Sequence, residues 1–246
     1  INKGIANTNT LEFFPGANWN AASGTQGFSL SNGTLKISGS ATISNQVFSS
    51  TSYSIPLTAG FWLNNSNFTV TALAGSNLYS GLFRLTAGTM NVGTLASHGI
   101  TSSSASTVII EGGVMNVAAR MVYSSSANFN MTAGTLNIST IGNSTSASAS
   151  FGFTSTLSVF SFTGGTINLV QASTGLTQLD YNVNTTSPIM GGTLNIGTAG
   201  TLTKFTFVGQ GAFPNTIINN TTNNKTLTLS GTSRAFGGFL VSPGTT

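Results

Sequence analysis

The sequence predicts an all-β fold, a right-handed parallel β-helix (β-solenoid) of about nine coils of roughly 27 residues each. Three observations predict it. A glycine-centred phrase recurs along the chain, its copies are spaced by 21 to 31 residues, and helix-forming patterns are almost absent. Only 4% of the 246 residues are charged, against about 25% in ordinary soluble domains. With 39% hydrophobic residues and 17 Phe, the chain has ample material for a core and is not a disordered Ser/Thr tail.

Residues 1–30 lack the phrase but hold Phe13, Phe14, Pro15 and Trp19, and read as an N-terminal cap or irregular first coil covering the open end of a stack. Residues 31–246 read as a continuous solenoid. Its phrase is an apolar residue, a polar or small one, Ala/Gly-Gly, usually Thr, then apolar, Asn, apolar. The clearest copies are Leu85 to Val92, Ile110 to Val117, Met131 to Ile138, Phe162 to Leu169 and Ile189 to Ile196, with weaker ones at Asn32 to Ile37 and Leu57 to Leu63. The second glycines are Gly33, Gly60, Gly88, Gly113, Gly134, Gly165 and Gly192, giving steps of 27, 28, 25, 21, 31 and 27.

After each glycine, apolar and polar residues alternate, as in Thr135, Leu136, Asn137 and Ile138, which is the period of a strand with one buried face. Glycine reaches positive φ without Cβ strain, so each glycine pair is expected to turn the coil before the next strand. Alternating runs between the copies supply further strands: Ala127 to Met131, Leu157 to Phe162 and Lys204 to Val208. Ser139 to Ser150 reads as a lateral loop enlarging one coil. The end of the chain, Leu240 to Thr246, reads as the approach to another strand, so the solenoid is expected to continue in a longer polypeptide.

The Gly-Gly-Thr-apolar-Asn-apolar phrase and the stretch from Phe213 to Thr232 resemble the repeat regions of very large secreted surface proteins of Bacteroidetes, the adhesin-like substrates of type IX secretion. The same β-helical grammar occurs in autotransporter and filamentous-haemagglutinin passengers. The resemblance covers most of the chain from about Ser31 onward. It implies export to the cell surface through secretion machinery, membership in a longer chain and an adhesive or scaffold role, with glycans or like chains as partners.

The chemistry-bearing residues are few. The carboxylates are Glu12, Glu111 and Asp180, too scattered to promise the facing pair of a glycoside hydrolase or the acidic calcium cluster of a β-helical lyase, so no enzymatic activity is expected. His98 is the only imidazole and reads as a turn residue. With no Cys, one His and three acids, neither a metal site nor a cofactor is expected. The pI near 9.8 rests on seven dispersed cations, Lys3, Lys36, Arg84, Arg120, Lys204, Lys225 and Arg234, which do not converge as nucleic-acid binding requires. No run of 18 apolar residues could span a membrane as a helix.

Most Phe residues, among them Phe129, Phe151, Phe153, Phe160, Phe162, Phe205 and Phe207, are expected in the core by alternation. Tyr79, Tyr123 and Tyr181 are the candidates for exposed ligand contacts. The phrase asparagines, Asn91, Asn116, Asn137, Asn168 and Asn195, are expected to stack as an outward or corner ladder of amide hydrogen bonds. A regular Thr face could bind ice, but the Thr-x-Thr pairs Thr201 to Thr203 and Thr226 to Thr228 are sporadic. The reading that results is a non-catalytic extracellular repeat segment of a bacterial cell-surface adhesin or stalk. The alternative is a structural filament or surface-layer component without external ligand.

Overall fold

A computed structural model describes residues 10–16, 27–145, 148–175, 179–186, 188–198, 204–209, 211–218, 226–230, 234–236 and 238–241. Most of the expected N-terminal cap, the Thr201 to Thr203 pair, Lys3 and Lys225 lie outside the described residues. Within them every regular element is a strand, and every pairing between strands is parallel. The chain is a β-solenoid of stacked coils, each contributing up to three strand faces.

The first face holds Thr10–Phe13, Gly33–Ile37, the leading halves of Ala59–Ala72, Leu82–Val92, Ser106–Val117 and Ala127–Ile138, then Val159–Phe162 and Ile189–Met190. The second holds Ile43–Gln46, the trailing halves of the same long strands, then Thr166–Leu169, Thr193–Ile196, Asn215–Ile218 and Phe239–Val241. The third face is an eight-stranded sheet running from Ser52–Ile55 to Thr226–Ser230. Its eight strands enclose seven complete turns, so the stack has about seven coils where dividing the length by the repeat predicts nine. Coils of unequal length, and end segments outside the described residues, account for the difference. At about 4.8 Å per coil, seven turns rise roughly 34 Å.

At Gly165 and Gly192 one strand ends before the glycine pair and the next begins after it, as expected, but in the preceding coils the glycine corner differs from the expectation in kind. First and second faces belong to one sheet, and the long strands bend through Gly88, Gly113 and Gly134 with local register shifts instead of breaking. Gly134 has φ 85°, and a Cβ placed there would lie 2.7 Å from the Gly112 carbonyl carbon of the preceding coil. Two of the predicted repeat glycines are out of phase. Gly33 pairs with Ala59 and Gly60 with Leu82, so both stand on the first face, one strand before the bend. In the 59–72 coil, Phe68 occupies the bend position. The turn there is made by Asn65, whose Nδ2 donates to Ser38 O and Ala41 O and whose Oδ1 accepts the Asn67 amide.

The interior is filled by columns of inward residues. One runs Leu35, Phe61, Phe83, Val108, Phe129 and Phe160, each in register with the next and fully buried or nearly so. Rings stack on neighbouring coils, Phe129 on Phe160 at 4.8 Å and Tyr123 on Phe153 at 5.0 Å between centroids. The Ser139 to Ser150 segment enlarges its coil, but it is partly built into the stack and not purely lateral, since Ser139, Asn143 and Ser150 are fully buried. Its described residues form no strand, and Ser144 N donates to Ala96 O across the short Ala118-Ala119 turn of the intervening coil.

Candidate functional site

The second face carries the most regular surface. Register places Gln46, Thr71, Asn91, Asn116, Asn137, Asn168 and Asn195 in one outward column, and Ser44, Thr69, Thr89, Val114, Thr135, Thr166 and Thr193 in the column beside it. The expected asparagine ladder is present. Nδ2 of Asn116, Asn137, Asn168 and Asn195 each donates to Oδ1 of the asparagine one coil before, at 2.7, 2.7, 2.6 and 2.9 Å. The alternation that buries Leu136 and Ile138 turns Asn137 outward, and the parallel in-register stack brings identical amides to hydrogen-bonding distance. Asn137→Ala removes two ladder bonds and is expected to cost about 1–3 kcal/mol. A calorimetric melt of the variant checks this, and an unchanged melting temperature would show that the ladder does not support the fold.

The first face carries a ladder that inspection of the sequence missed. Glu12, Lys36, Trp62 and Arg84 stand in one outward column on consecutive coils. Lys36 Nζ lies 2.6 Å from Glu12 Oε1 and 4.3 Å from the Trp62 ring centre, whose other close cation is the Arg84 guanidinium at 4.2 Å. Arg84 in turn makes a bidentate pair with Glu111, at 2.9 and 3.0 Å, and Thr86 Oγ1 bridges from the Trp62 indole N–H to Glu111. Arg84 and Lys36 hold the carboxyls of Glu111 and Glu12 below the usual range. The residues recur at close to the coil period, which is the signal a column-by-column alignment would have found.

These partnerships bear directly on catalysis. Glu12 stands about four coils, roughly 19 Å, from the Glu111 coil, well beyond the spacing of a hydrolytic carboxylate pair. Asp180 is fully buried; its Oδ1 accepts Ser173 N at 2.6 Å and its Oδ2 accepts Thr206 N at 2.8 Å, joining two adjacent coils. His98 sits in the 94–98 turn, where its Nδ1 accepts the Thr94 amide. Among the described residues, no three His, Cys, Asp or Glu side chains gather where they could hold a metal.

Burial pushes the Asp180 carboxyl up from 3.8 to about 7. Between those values the folded chain retains a proton that the unfolded chain has released. Stability is therefore expected to fall as pH rises from about 4 to about 7 and to level off above, by on the order of 4 kcal/mol. Glu12 and Glu111, held low, act with the opposite sign and only below their ordinary range. Urea midpoints across this window check it: the slope should vanish in Asp180→Asn, and a flat profile in the unaltered chain would contradict it.

The three tyrosines are not where the sequence places them. Tyr79, Tyr123 and Tyr181 are all buried, and the Tyr79 hydroxyl hydrogen-bonds that of Tyr53. Their strands alternate so that Leu78, Val122 and Asn182 take the outward positions, and the tyrosine rings pack against Phe83, Phe153 and Phe207. They cannot contact a ligand.

At the corner between third and first faces, an open groove of about 300 Å³ runs along the stack. Its floor is the small residues Gly81, Ala105 and Ser126, and its walls are the exposed Leu57, Leu157 and Val159. None of the described residues that line it is charged. A scan of family models, a search of curated proteins and a search of solved structures each found no match to the chain.

Proposed function

We propose that the chain is a non-catalytic extracellular repeat segment of a bacterial cell-surface adhesin or stalk, which spaces or attaches surfaces and does not transform a substrate. The observation that carries this reading is the continuous parallel pairing of the sheet from Thr10–Phe13 to Phe239–Val241, a stack in which each coil templates the next. Further coils of the same polypeptide, or a like chain, would extend the rod by the same ladder. The commitment of Glu12 and Glu111 to ion pairs and of Asp180 to the interior supports a role without acid–base chemistry. Secretion by the type IX route, and a bacteroidete source, rest on the resemblance of the Gly-Gly-Thr-apolar-Asn-apolar phrase.

Neutral hydroxyl and amide faces suit neutral glycans, with weak binding per site and strength from many copies. Retention of the purified chain on a panel of immobilised neutral glycans, read beside sedimentation velocity over a concentration series, tests this. The proposal expects retention that grows with the density of display. Concentration-dependent end-to-end growth without retention would favour the structural filament, which a parallel stack of coils also permits. Neither behaviour above background would refute the adhesive role of this segment.

A further inference from the structure

We infer that the second face is an ice-binding plane, with crystalline water as its ligand. The two outward columns form a two-dimensional lattice: about 4.8 Å from coil to coil, and about 6.6 Å from the Thr column to the Asn column. The coil repeat is close to the oxygen repeat along the a axis of hexagonal ice. The lattice runs through seven consecutive coils from Ser44 and Gln46 to Thr193 and Asn195. Each of these residues is at least partly exposed. The Thr-x-Thr pairs noticed in the sequence are sporadic, whereas the Thr-x-Asn pairs share one register, and that register is visible only once the coils are stacked.

Three features select the ligand. First, the array contains no charged and no aromatic residue, so it offers no anchor for an ionic ligand and only hydrogen bonds, without ring stacking, to a sugar. Second, it is already ordered. Asn116, Asn137 and Asn168 each donate one N–H and accept one on Oδ1 within the ladder, which holds the amides in place and leaves a second N–H and lone pair for outside partners. Water ordered against such a lattice does not have to immobilise its side chains. Third, the plane measures on the order of 29 Å by 10 Å, or about 300 Å², well short of the roughly 800 Å² per partner of a stable dimer. A second copy of the chain would not be held by this face alone, but a periodic solid matches it at every repeat. Val114 interrupts the hydroxyls while keeping a branched side chain of threonine's shape in the column.

The inference does not depend on export or glycan attachment. Its test is thermal hysteresis together with uptake of the full chain into a slowly grown ice hemisphere. Thr135→Tyr and Thr166→Tyr place bulk in the middle of the plane, and Thr101→Tyr places the same bulk on the third face. Circular dichroism and a cooperative melt establish that each variant is folded, and Thr193→Tyr replaces any central variant that is not. The expected result is hysteresis and ice uptake in the unaltered chain and in Thr101→Tyr, with loss of both in the second-face variants. A folded chain excluded from ice and without hysteresis overturns the inference. So does activity that survives Thr135→Tyr and Thr166→Tyr or is lost in Thr101→Tyr, and so does binding to crystalline cellulose or chitin in place of ice.

Discussion

Gly134→Val is expected to destabilise the chain by about 3–5 kcal/mol, because a β-branched residue must adopt a left-handed backbone while its Cβ meets the coil below. Gly134 has φ 85°, and the atoms nearest a Cβ there are backbone: the Gly112 carbonyl at 2.7 Å and the Gly113 oxygen at 2.9 Å. Backbone cannot rotate aside as a side chain can. The damage should also spread, since Thr135 and Asn137 immediately follow the bend and set the register of the second face. A denaturant melt and hydrogen exchange of the Leu136 and Ile138 amides check this. Gly142→Val is the matched control: φ there is also positive, at 106°, but a Cβ would meet nothing within 4 Å. It should cost only the backbone strain, and equal losses in the two variants would show that coil-to-coil contact at the bend is not the limiting constraint.

Phe129→Ala is expected to cost about 3–5 kcal/mol through the cavity it leaves. Phe129 is fully buried and packs against Phe151, Phe153 and Phe160, with centroid separations of 5.9, 5.1 and 4.8 Å. These rings come from two faces and two adjacent coils, so the vacancy would sit where the stack is widest in aromatic contact. Phe129→Leu should recover much of the loss by refilling part of the volume. A fall in urea midpoint of similar size in Phe129→Leu and Phe129→Ala would contradict a close-packed aromatic centre.

The strand grammar, the absence of helix among the described residues and the asparagine ladder were legible in the sequence because each depends on local alternation and a repeated phrase. The long-range column Lys36, Trp62, Arg84 was not, since coils of 21 to 31 residues put stacked partners at irregular separations. The same irregularity hid the phase of Gly33 and Gly60. Their surroundings mimic the repeat phrase, yet they lie before the bend and not at it. The tyrosines were misplaced for a different reason: third-face strands of three or four residues are too short for alternation to show which set is inward. Asp180 gains its two amide partners from its own coil and the next, which only stacking reveals.

Both the spacer role and the ice-binding plane require one register along the whole stack. The chain has no cysteine, so paired spin labels can be introduced cleanly at Ser44 with Thr135, Thr166 or Thr193, all in one outward column. Dipolar spectroscopy should give distances that lengthen by about 4.8 Å for each added coil, reaching roughly 29 Å for Ser44 with Thr193. Distances that do not grow with coil number would contradict the stacked register and, with it, the ordered second face.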